Sequence, residues 1–311
     1  MGDQTLSQSH APHERPKAVP FVLILAIAGI SFAGPLTRLS HAEPLAIALG
    51  RLAFSLLIIG AILAANGQWR QWKTLSRGDF LAAVAAGLFL AAHFWSWIAS
   101  IGMTSVAASV VLVNLSPVIV AAGSALWLGE RPTYRQGMGI AIALIGAVVL
   151  ASADFQSGAG TSSGSTSRAL VGDLLAVIGA ITVSVYLLAG RRVRQKLDLW
   201  PYVGLVYGVC FVAVLAIALV RGTPLVPQPS RELYLFAALA LGPMMLGHTG
   251  FNWALRYLPA YVVSLVALCE PVGATILAAT IPGIAEHPGP LTLLGGVIVL
   301  GGVVLTTSKR S

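Results

Sequence analysis

Charged residues are scarce in this chain. Asp, Glu, Lys and Arg together make up 10% of its 311 residues, whereas hydrophobic residues make up 57%. Soluble domains carry about 25% charged residues. The shortage excludes an ordinary soluble domain and predicts an integral membrane protein whose main partner is the lipid bilayer.

Motifs for catalysis, metals and cofactors are also missing. The two cysteines, Cys210 and Cys269, lie in separate apolar runs, so neither a disulfide framework nor a Cys-x-x-Cys metal site is predicted. The sequence contains no His-Glu-x-x-His motif, Walker loop or dinucleotide-binding loop. "GISFAG" (29–34) departs from Gly-x-Ser-x-Gly at Ala33. We therefore predict no catalytic residue, metal or cofactor, and an intramembrane enzyme that uses Ser31 is a distant alternative.

Ten apolar segments are long enough to cross a membrane as α-helices, each of which needs about 20 residues. They predict an all-α protein with spans at 18–37, 43–65, 80–101, 105–128, 134–152, 170–190, 200–220, 233–255, 260–281 and 290–307. A Gly/Ser/Thr-rich stretch predicts a flexible linker between two halves. The predicted parts are a tail (1–17), a first five-helix half (18–152), the linker (153–169), a second five-helix half (170–307) and a C-terminal tail (308–311).

Basic residues lie mainly in the segments between the spans. The net charge is +8, which in a soluble protein would suggest a nucleic-acid partner. With the N-terminus inside, most of the nineteen Lys and Arg residues fall in the inner segments, and basic residues favour the cytoplasmic side of a membrane. The pattern predicts no nucleic-acid partner, both termini in the cytoplasm and a multi-pass protein of the cell (inner) membrane.

The two halves resemble each other in sequence. "GERPTYRQGMGIAIALIGAVVL" (129–150) aligns with "AEHPGPLTLLGGVIVLGGVVL" (285–305), and His93 aligns with His248. Because each half has an odd number of spans, the second half enters the membrane from the opposite side. Such inverted-topology repeats are typical of secondary transporters, whose substrate sites lie near the membrane midplane where the repeats meet.

Three stretches resemble EamA-type members of the drug/metabolite transporter superfamily: "ALGRLAFSLLIIGAIL" (48–63), residues 91–150, which begin "AAHFWSWIASIGMTS", and "YLPAYVVSLVALCEPVGATILAA" (257–279). The resemblance implies a ten-helix exporter of small metabolites with a central cavity. Members of this family handle amino acids, nucleobases, sugar derivatives and drugs, and the exporters of aromatic amino acids are nearest in overall character. The second half departs from the pattern, because no arginine near Tyr207 matches Arg51.

Two spans carry polar and aromatic faces. At about 100° per residue, three side chains of span three share one face, and two of span eight, its repeat mate, lie one turn apart. Such faces are costly against lipid, so we predict that they line a shared substrate cavity; hydrogen bonds between helices are the alternative. The five residues are His93, Ser96, Trp97, His248 and Asn252. Phe94 and Trp95 project elsewhere, as is typical of packing or lipid contact.

Further polar residues inside the spans are additional candidates for substrate binding. Tyr186 and Tyr207 can line the inner half of the cavity or pack between helices. Asn114 and Ser116 belong to "NLSP" in span four. Ser116 can also hydrogen-bond the carbonyl that Pro117 leaves without a partner.

Arg51 and Glu270 are charged residues inside the predicted spans. Glu270 precedes Pro271, the repeat mate of Pro117, and both prolines predict helix kinks. A buried glutamate can carry a proton for antiport or contribute only to cavity polarity. Arg51 can bind a substrate carboxylate, pair with Glu270 or serve the architecture of the fold.

Together these features predict a secondary transporter that exports small amphipathic metabolites by alternating access through a central cavity. Amino acids, including aromatic ones, are the leading substrates, because aromatic side chains suit rings and the few polar groups can orient the charged ends. A broad-specificity drug or nucleobase exporter of the same fold is the alternative. Whether the chain acts alone or as a homodimer is left open.

Overall fold

The computed structural model describes residues 16–101, 103–104, 109, 112–156, 166–280 and 289–308, and these contain helices and connections but no strand. An all-helical chain satisfies its backbone hydrogen bonds internally, as lipid requires. The α-helices are α1 (Val19–Ser31), α2 (Ala33–Leu39), α3 (Pro44–Asn66), α4 (Arg77–Ile101), α5 (Ser116–Gly123), α6 (Tyr134–Gln156), α7 (Thr166–Arg194), α8 (Leu199–Val220), α9 (Ser230–Leu239), α10 (Thr249–Ala254), α11 (Ala260–Ala267), α12 (Glu270–Thr280) and α13 (Pro290–Thr307).

Eight helical stretches of the described residues are long and apolar enough to cross a membrane. They are Val19–Thr37, Pro44–Asn66, Arg77–Ser100, Ser167–Arg194, Leu199–Val220, Ser230–Ala254, Ala260–Leu277 and Pro290–Thr307. Each overlaps one predicted span. The stretches that match predicted spans four and five, Ser116–Leu128 and Tyr134–Val149, are apolar but shorter, and part of span four lies outside the described residues.

Helix covers both ends of the stretch predicted as a linker. α6 continues to Gln156 and α7 begins at Thr166. Hydrophobic patterning marks where the apolar region ends, whereas a helix can continue past that point because its backbone hydrogen bonds are local. The rest of the predicted linker, 157–165, lies outside the described residues.

Predicted spans four and nine are both interrupted just before a proline. A turn at 114–115 precedes α5, whose second residue is Pro117, and a turn at 268–269 precedes α12, whose second residue is Pro271. Proline has no N–H to donate to the preceding turn, and its fixed φ suits the first turn of a new helix. Two half-helices therefore begin at matching repeat positions within apolar sequence.

The stretch that matches predicted span eight contains wide, π-helical turns. They cover Ala240–His248, between α9 and α10, and include Pro243. The Thr249 hydroxyl donates to the Met244 carbonyl oxygen at 2.9 Å. A proline inside a helix removes a backbone hydrogen bond, and π turns are frequent near functional sites. His248 lies where these turns end.

A close backbone contact joins α6 of the first half to α13 of the second. A Cβ atom added at Gly146 would lie 2.5 Å from the Val299 amide nitrogen, and one added at Gly302 would lie 2.5 Å from the Gly139 carbonyl oxygen. Neither neighbour is a flexible side chain that could move away. Small residues permit such close approach between helices in a membrane, so the glycines allow the two halves to pack here.

At one end of the bundle, ion pairs and hydrogen bonds join segments of both halves. We call it the basic end, and its residues are Gln71, Glu130, Arg191, Arg194, Asp198 and Arg256. Arg191 Nη2 lies 2.6 Å from a Glu130 carboxylate oxygen. Arg191 Nη1 donates to the backbone carbonyl oxygens of Leu255 at 2.7 Å and Arg256 at 3.0 Å. A single guanidinium thus connects the end of the α5 segment with the turn after α10.

Asp198 makes a second connection at the basic end. Its carboxylate accepts hydrogen bonds from Gln71 Nε2 at 2.8 Å and from Arg256 Nη1 at 2.7 Å. These hydrogen bonds lower the pKa of Asp198 below its ordinary value, because they favour the charged form of the carboxyl group. Gln71 follows α3, whereas Asp198 precedes α8, so this contact also joins the two halves.

Candidate functional site

α4 carries an aromatic stack that packs against α7. The rings of His93 and Trp97 have centroids 6.3 Å apart and planes 7° from parallel. His93 Nδ1 lies 3.0 Å from the Gly179 carbonyl oxygen. Because a carbonyl only accepts, the hydrogen must be on Nδ1, which leaves Nε2 as the acceptor of the neutral ring. The stack thus has a fixed orientation and one available acceptor atom.

Phe94 connects this stack to the other half of the chain. Its side chain is 2% exposed. Its ring lies 5.7 Å from the His93 ring and 5.6 Å from the His248 ring, which it meets edge to face at 81°. The sequence predicts packing or lipid contact for Phe94, and no helix-face pattern distinguishes it. The one signal in the sequence is that an arginine within lipid needs a partner, and an aromatic face provides one.

Arg51 is buried beside Phe94. Its Cζ atom lies 4.6 Å from the Phe94 ring centroid, and its side chain is 3% exposed. Arg51 Nη2 donates to the Met244 sulfur at 3.0 Å. Among the described residues, Arg51 Nε has no hydrogen-bond partner. The guanidinium therefore contacts an aromatic face and a thioether while one N–H group remains available.

Three buried donors of the predicted site residues have no hydrogen-bond partner within the described part of the chain: Arg51 Nε, Trp97 Nε1 and Asn114 Nδ2. The residue before Asn114, Val113, and Trp97 both lie close to Gly179, where an added Cβ would be 3.4 Å from Val113 and 3.7 Å from Trp97. A buried polar group left unpaired costs about 1–3 kcal/mol. All three atoms are donors, so a molecule with acceptor atoms would suit them.

Polar residues of the second half instead bond to one another. Asn252 Nδ2 donates to the Tyr186 hydroxyl at 2.7 Å and lies 3.4 Å from the Tyr207 hydroxyl. The Tyr207 and Thr249 hydroxyls are 3.1 Å apart. All four side chains are buried. The structure thus brings together the predicted residues Tyr186, Tyr207 and Asn252, but as a network that satisfies itself.

Ser96 and Ser116 make contacts within and between helices. The Ser96 hydroxyl donates to the carbonyl oxygen of His93 on its own helix at 3.3 Å. The Ser116 hydroxyl lies 3.4 Å from that of Ser264, and the Ser116 carbonyl oxygen accepts from Ser184 at 3.3 Å. The Ser116 contacts correspond to the alternative of hydrogen bonding between helices, whereas the Ser96 hydrogen bond stays within α4.

Glu270 is the first residue of α12 and is half-buried. Among the described residues its carboxylate makes no hydrogen bond or ion pair, and its backbone carbonyl lies 3.5 Å from the Ser31 hydroxyl. It interacts electrostatically with Arg51, yet the two groups do not approach within ion-pair distance.

The His, Cys, Asp and Glu residues of the described segments form no group of three that could hold a metal ion.

The sequence matches the model of a known protein family over most of its length. The model of the EamA-like transporter family matches residues 17–152 and 170–308. The chain belongs to the EamA-like transporter family. The aromatic stack, the buried arginine and the interrupted spans are therefore features of a multi-pass membrane transporter. Membership also agrees with the prediction that the chain is not an enzyme.

Relatives of this EamA-like transporter are also named as transporters. The chain is 24% identical over 305 residues to an "uncharacterized transporter" of Archaeoglobus fulgidus, with 94% of this chain and 99% of that protein covered. It is 28% identical over 205 residues to a "probable terminal-alkyne amino-acid exporter" of Streptantibioticus cattleyicolor, with 64% and 63% covered. A solved crystal structure shares the fold with a TM-score of 0.77 at 20% identity, covering 94% of this chain and 97% of that one.

Proposed function

We propose that this EamA-like transporter exports small amphipathic metabolites, foremost amino acids including aromatic ones, by alternating access through a central cavity. The proposal includes ten transmembrane helices in two inverted five-helix halves. Both termini lie in the cytoplasm, and the protein resides in the cell (inner) membrane. The observation that carries the proposal is the buried Trp97 Nε1 donor, which has no partner among the described residues although its ring is stacked on that of His93.

The unpaired donors favour a substrate that brings acceptor atoms. Trp97 Nε1 and Asn114 Nδ2 are buried without partners among the described residues. The flat surface of the stacked His93 and Trp97 rings suits an apolar or aromatic group, because aromatic rings stack and shed water on contact. An amino acid combines both parts, since its carboxylate accepts hydrogen bonds and its side chain is often apolar.

The comparisons support the same substrate class at a coarse level. One relative at 28% identity is named a probable amino-acid exporter. The printed name concerns that protein, and the alignment covers 64% of this chain. Transfer of the amino-acid class to this chain, and closeness to exporters of aromatic amino acids in particular, are parts of the proposal.

The interruptions before Pro117 and Pro271 support the proposed inverted repeat. They fall at positions that align between the two halves. Discontinuous helices that meet near the midplane are a recurring device of transporters built from inverted repeats. The close contact of α6 with α13 further fits two halves that pack about a common axis.

Counterflow in liposomes tests the proposed transport. Purified full-length protein is reconstituted, the vesicles are loaded with unlabelled phenylalanine, tryptophan, threonine or buffer, and uptake of labelled phenylalanine is followed. Loading with a substrate should accelerate uptake. Trp97→Ala should remove most of that acceleration, because it deletes both the ring and an unpaired donor. Trp127→Ala is the matched control, since Trp127 is 70% exposed.

Other outcomes distinguish the alternatives. If nucleobases or cationic drugs accelerate exchange and amino acids do not, the same fold serves the broader exporter and the amino-acid proposal is wrong. Repeating the assay with a collapsed pH gradient tests proton coupling. Accelerated net transport only in the presence of the gradient would assign a proton to the cycle.

A further inference from the structure

We infer that Arg51 and Glu270 form a two-pole site for the zwitterionic head of an amino acid, in which Arg51 binds the carboxylate and Glu270 binds the ammonium group. The inference rests on the proposed transport function and names the residues that recognise the charges of the substrate. It also gives Glu270 a different role from proton carriage.

Arg51 is a buried cation that makes no ion pair with any of the described residues. Its contacts are the Phe94 ring and the Met244 sulfur, and neither carries a negative charge. Its Nε atom has no hydrogen-bond partner among the described residues. A buried guanidinium that lacks a counter-ion is costly, and its planar set of N–H groups fits a carboxylate. The site therefore suits an incoming anionic group.

Glu270 is the complementary pole. It begins α12 after the turn at 268–269, so it lies at a helix N-terminus, where the backbone dipole favours a negative charge. Its carboxylate makes no hydrogen bond or ion pair with any described residue. Its backbone carbonyl oxygen lies 3.5 Å from the Ser31 hydroxyl of α1, and α1 packs against the Ala240–His248 segment, whose Met244 contacts Arg51. Two opposite charges that lie on either side of α1 and do not pair directly can be bridged by a molecule carrying both signs.

The charge balance explains why a zwitterion would be selected. Arg51 and Glu270 together carry no net charge, and a zwitterion adds none. A substrate with only an amine or only a carboxylate would leave one uncompensated charge inside the bundle. Isolated charges are expensive in low-dielectric surroundings. Compounds with only an amine or only a carboxylate, here called single-pole compounds, should therefore bind more weakly than an amino acid of the same shape.

The neighbouring titratable groups do not provide a substitute anion. His93, His248, Tyr207 and Cys210 interact electrostatically with Arg51, and their neutral forms carry no charge. His93 is held by the Gly179 carbonyl through Nδ1. The ring of Phe94 lies near both the Arg51 guanidinium, at 4.6 Å, and the His93 ring, at 5.7 Å. An aromatic surface suited to the substrate's side chain is therefore close to the cationic pole.

Three compounds with the same phenyl ring test the inference: phenylalanine, phenethylamine and 3-phenylpropanoate. Full-length protein is reconstituted into liposomes, and the liposomes are loaded with each compound in turn. Counterflow of labelled phenylalanine into them is then measured. We expect phenylalanine to drive exchange at least about tenfold better than either single-pole compound, because hydrogen bonds to charged groups are stronger than those between neutral groups. Glu270→Gln should lower phenylalanine exchange by about tenfold at limiting concentration and raise any exchange of 3-phenylpropanoate, because the variant removes the charge that this compound leaves uncompensated.

A second variant tests the same site in case Glu270→Gln does not fold. Arg51→Lys keeps the charge but removes the planar Nε donor, so it should raise the KM for phenylalanine and leave any KM for phenethylamine unchanged. Glu43→Gln is the matched control, because Glu43 is an exposed carboxylate preceding α3. Size-exclusion chromatography verifies that each variant is folded.

The remaining outcomes overturn the inference in distinguishable ways. If Glu270→Gln exchanges phenylalanine normally but loses stimulation by a pH gradient, Glu270 carries protons and the two-pole site is wrong. If single-pole compounds drive exchange as well as phenylalanine does, the protein does not need both the ammonium and the carboxylate group for transport, and the two-pole site is wrong. If none of the compounds, nor any other metabolite, drives exchange by folded protein, the proposed function fails along with the inference.

Discussion

Matching positions of the two halves have opposite hydrogen-bonding status. In the first half, Trp97 carries a buried donor that has no partner among the described residues. Its repeat mate, Asn252, bonds to the hydroxyl of Tyr186 and reaches that of Tyr207. Sequence symmetry therefore does not imply equal roles. At this pair of positions, the first half has an unpaired donor among the described residues, and the second half has a hydrogen bond between helices.

The arginine of α3 sharpens this contrast. Arg51 contacts Phe94 of α4, while the aligned region of the second half carries Tyr207, which donates or accepts within the network of Thr249 and Asn252. A neutral hydroxyl can be satisfied by its neighbours, whereas a guanidinium with five N–H groups rarely is in an apolar setting. The charge thus lies in the half that also has the unpaired donors of Trp97 and Asn114.

The halves are most alike where α6 meets α13, and substitution there should have the largest effect. Gly146→Leu would place side-chain atoms against the Val299 backbone, 2.5 Å from an added Cβ, so we expect little or no folded protein. Fluorescence-detected size-exclusion chromatography measures the yield. Gly137→Leu, on the same helix with nothing within 4 Å of an added Cβ, should fold normally. Equal yields for both variants would show that the glycine contact is dispensable.

The second-half network should respond to substitution as a structural element. Asn252→Ala leaves the Tyr186 and Tyr207 hydroxyls without this partner, and we expect the free energy of unfolding to fall by about 1–3 kcal/mol. Denaturant titration of the detergent-purified protein measures it. Asn66→Ala, at the exposed end of α3, should change it by less than about 0.5 kcal/mol. Loss of transport at unchanged stability would instead place Asn252 in the binding site.

The first-half site should respond in function rather than stability. Trp97→Phe keeps an aromatic ring to stack on His93 but deletes the Nε1 donor, so we expect counterflow to fall by about tenfold at limiting substrate. The melting temperature should change little, because no protein hydrogen bond among the described residues is lost. Trp127→Phe serves as the control at an exposed position. Unchanged counterflow in Trp97→Phe would remove this donor from the proposed site.

The smallest effect is expected at the basic end, where the halves are joined by Asp198. Its pKa is lowered in the folded state by hydrogen bonds from Gln71 and Arg256, so the folded chain binds the proton more weakly than the unfolded chain does. The resulting stabilisation is present above the ordinary aspartate pKa and is lost as the pH falls through the folded value. The carboxylate side chain is 44% exposed, so the contribution is below about 1 kcal/mol.

Asp198→Asn tests whether the charged form of Asp198 stabilises the folded protein. The stability of the wild-type protein should decrease more steeply on acidification below about pH 4 than that of the variant. Thermal unfolding across a pH series measures both slopes. A steeper decrease in the variant would contradict the assignment of Asp198 as a group whose charged form is stabilised by folding.

Much of the helical architecture was predictable from sequence because lipid imposes a simple rule. Long apolar runs must form helices when no water is present to satisfy the backbone, and eight of the predicted spans have matching helical stretches long enough to cross. The π-helical turns at Ala240–His248 were not predicted. Pro243 indicates a disturbed helix, but one residue does not determine which backbone adjustment follows.

The site was predictable only where helix periodicity determines it. The 100° rule placed His93 and Trp97 on one face, and the structure has their rings nearly parallel. Ser96 shares that face, yet its hydroxyl turns to the His93 carbonyl, because short polar side chains have backbone acceptors within reach. Phe94 could not be identified from α4 alone, since its importance comes from Arg51 of α3 and His248 of the second half.

The manner in which Arg191 is bound has a consequence for sequence variation. Two of its hydrogen bonds end on the backbone carbonyls of Leu255 and Arg256 rather than on side chains. Every amino acid supplies a carbonyl, so mutation at these two positions cannot delete the acceptors. Only a change in the path of the backbone can withdraw them. The guanidinium therefore recognises the shape of the turn after α10, and this recognition can persist through evolutionary drift in the turn's side chains.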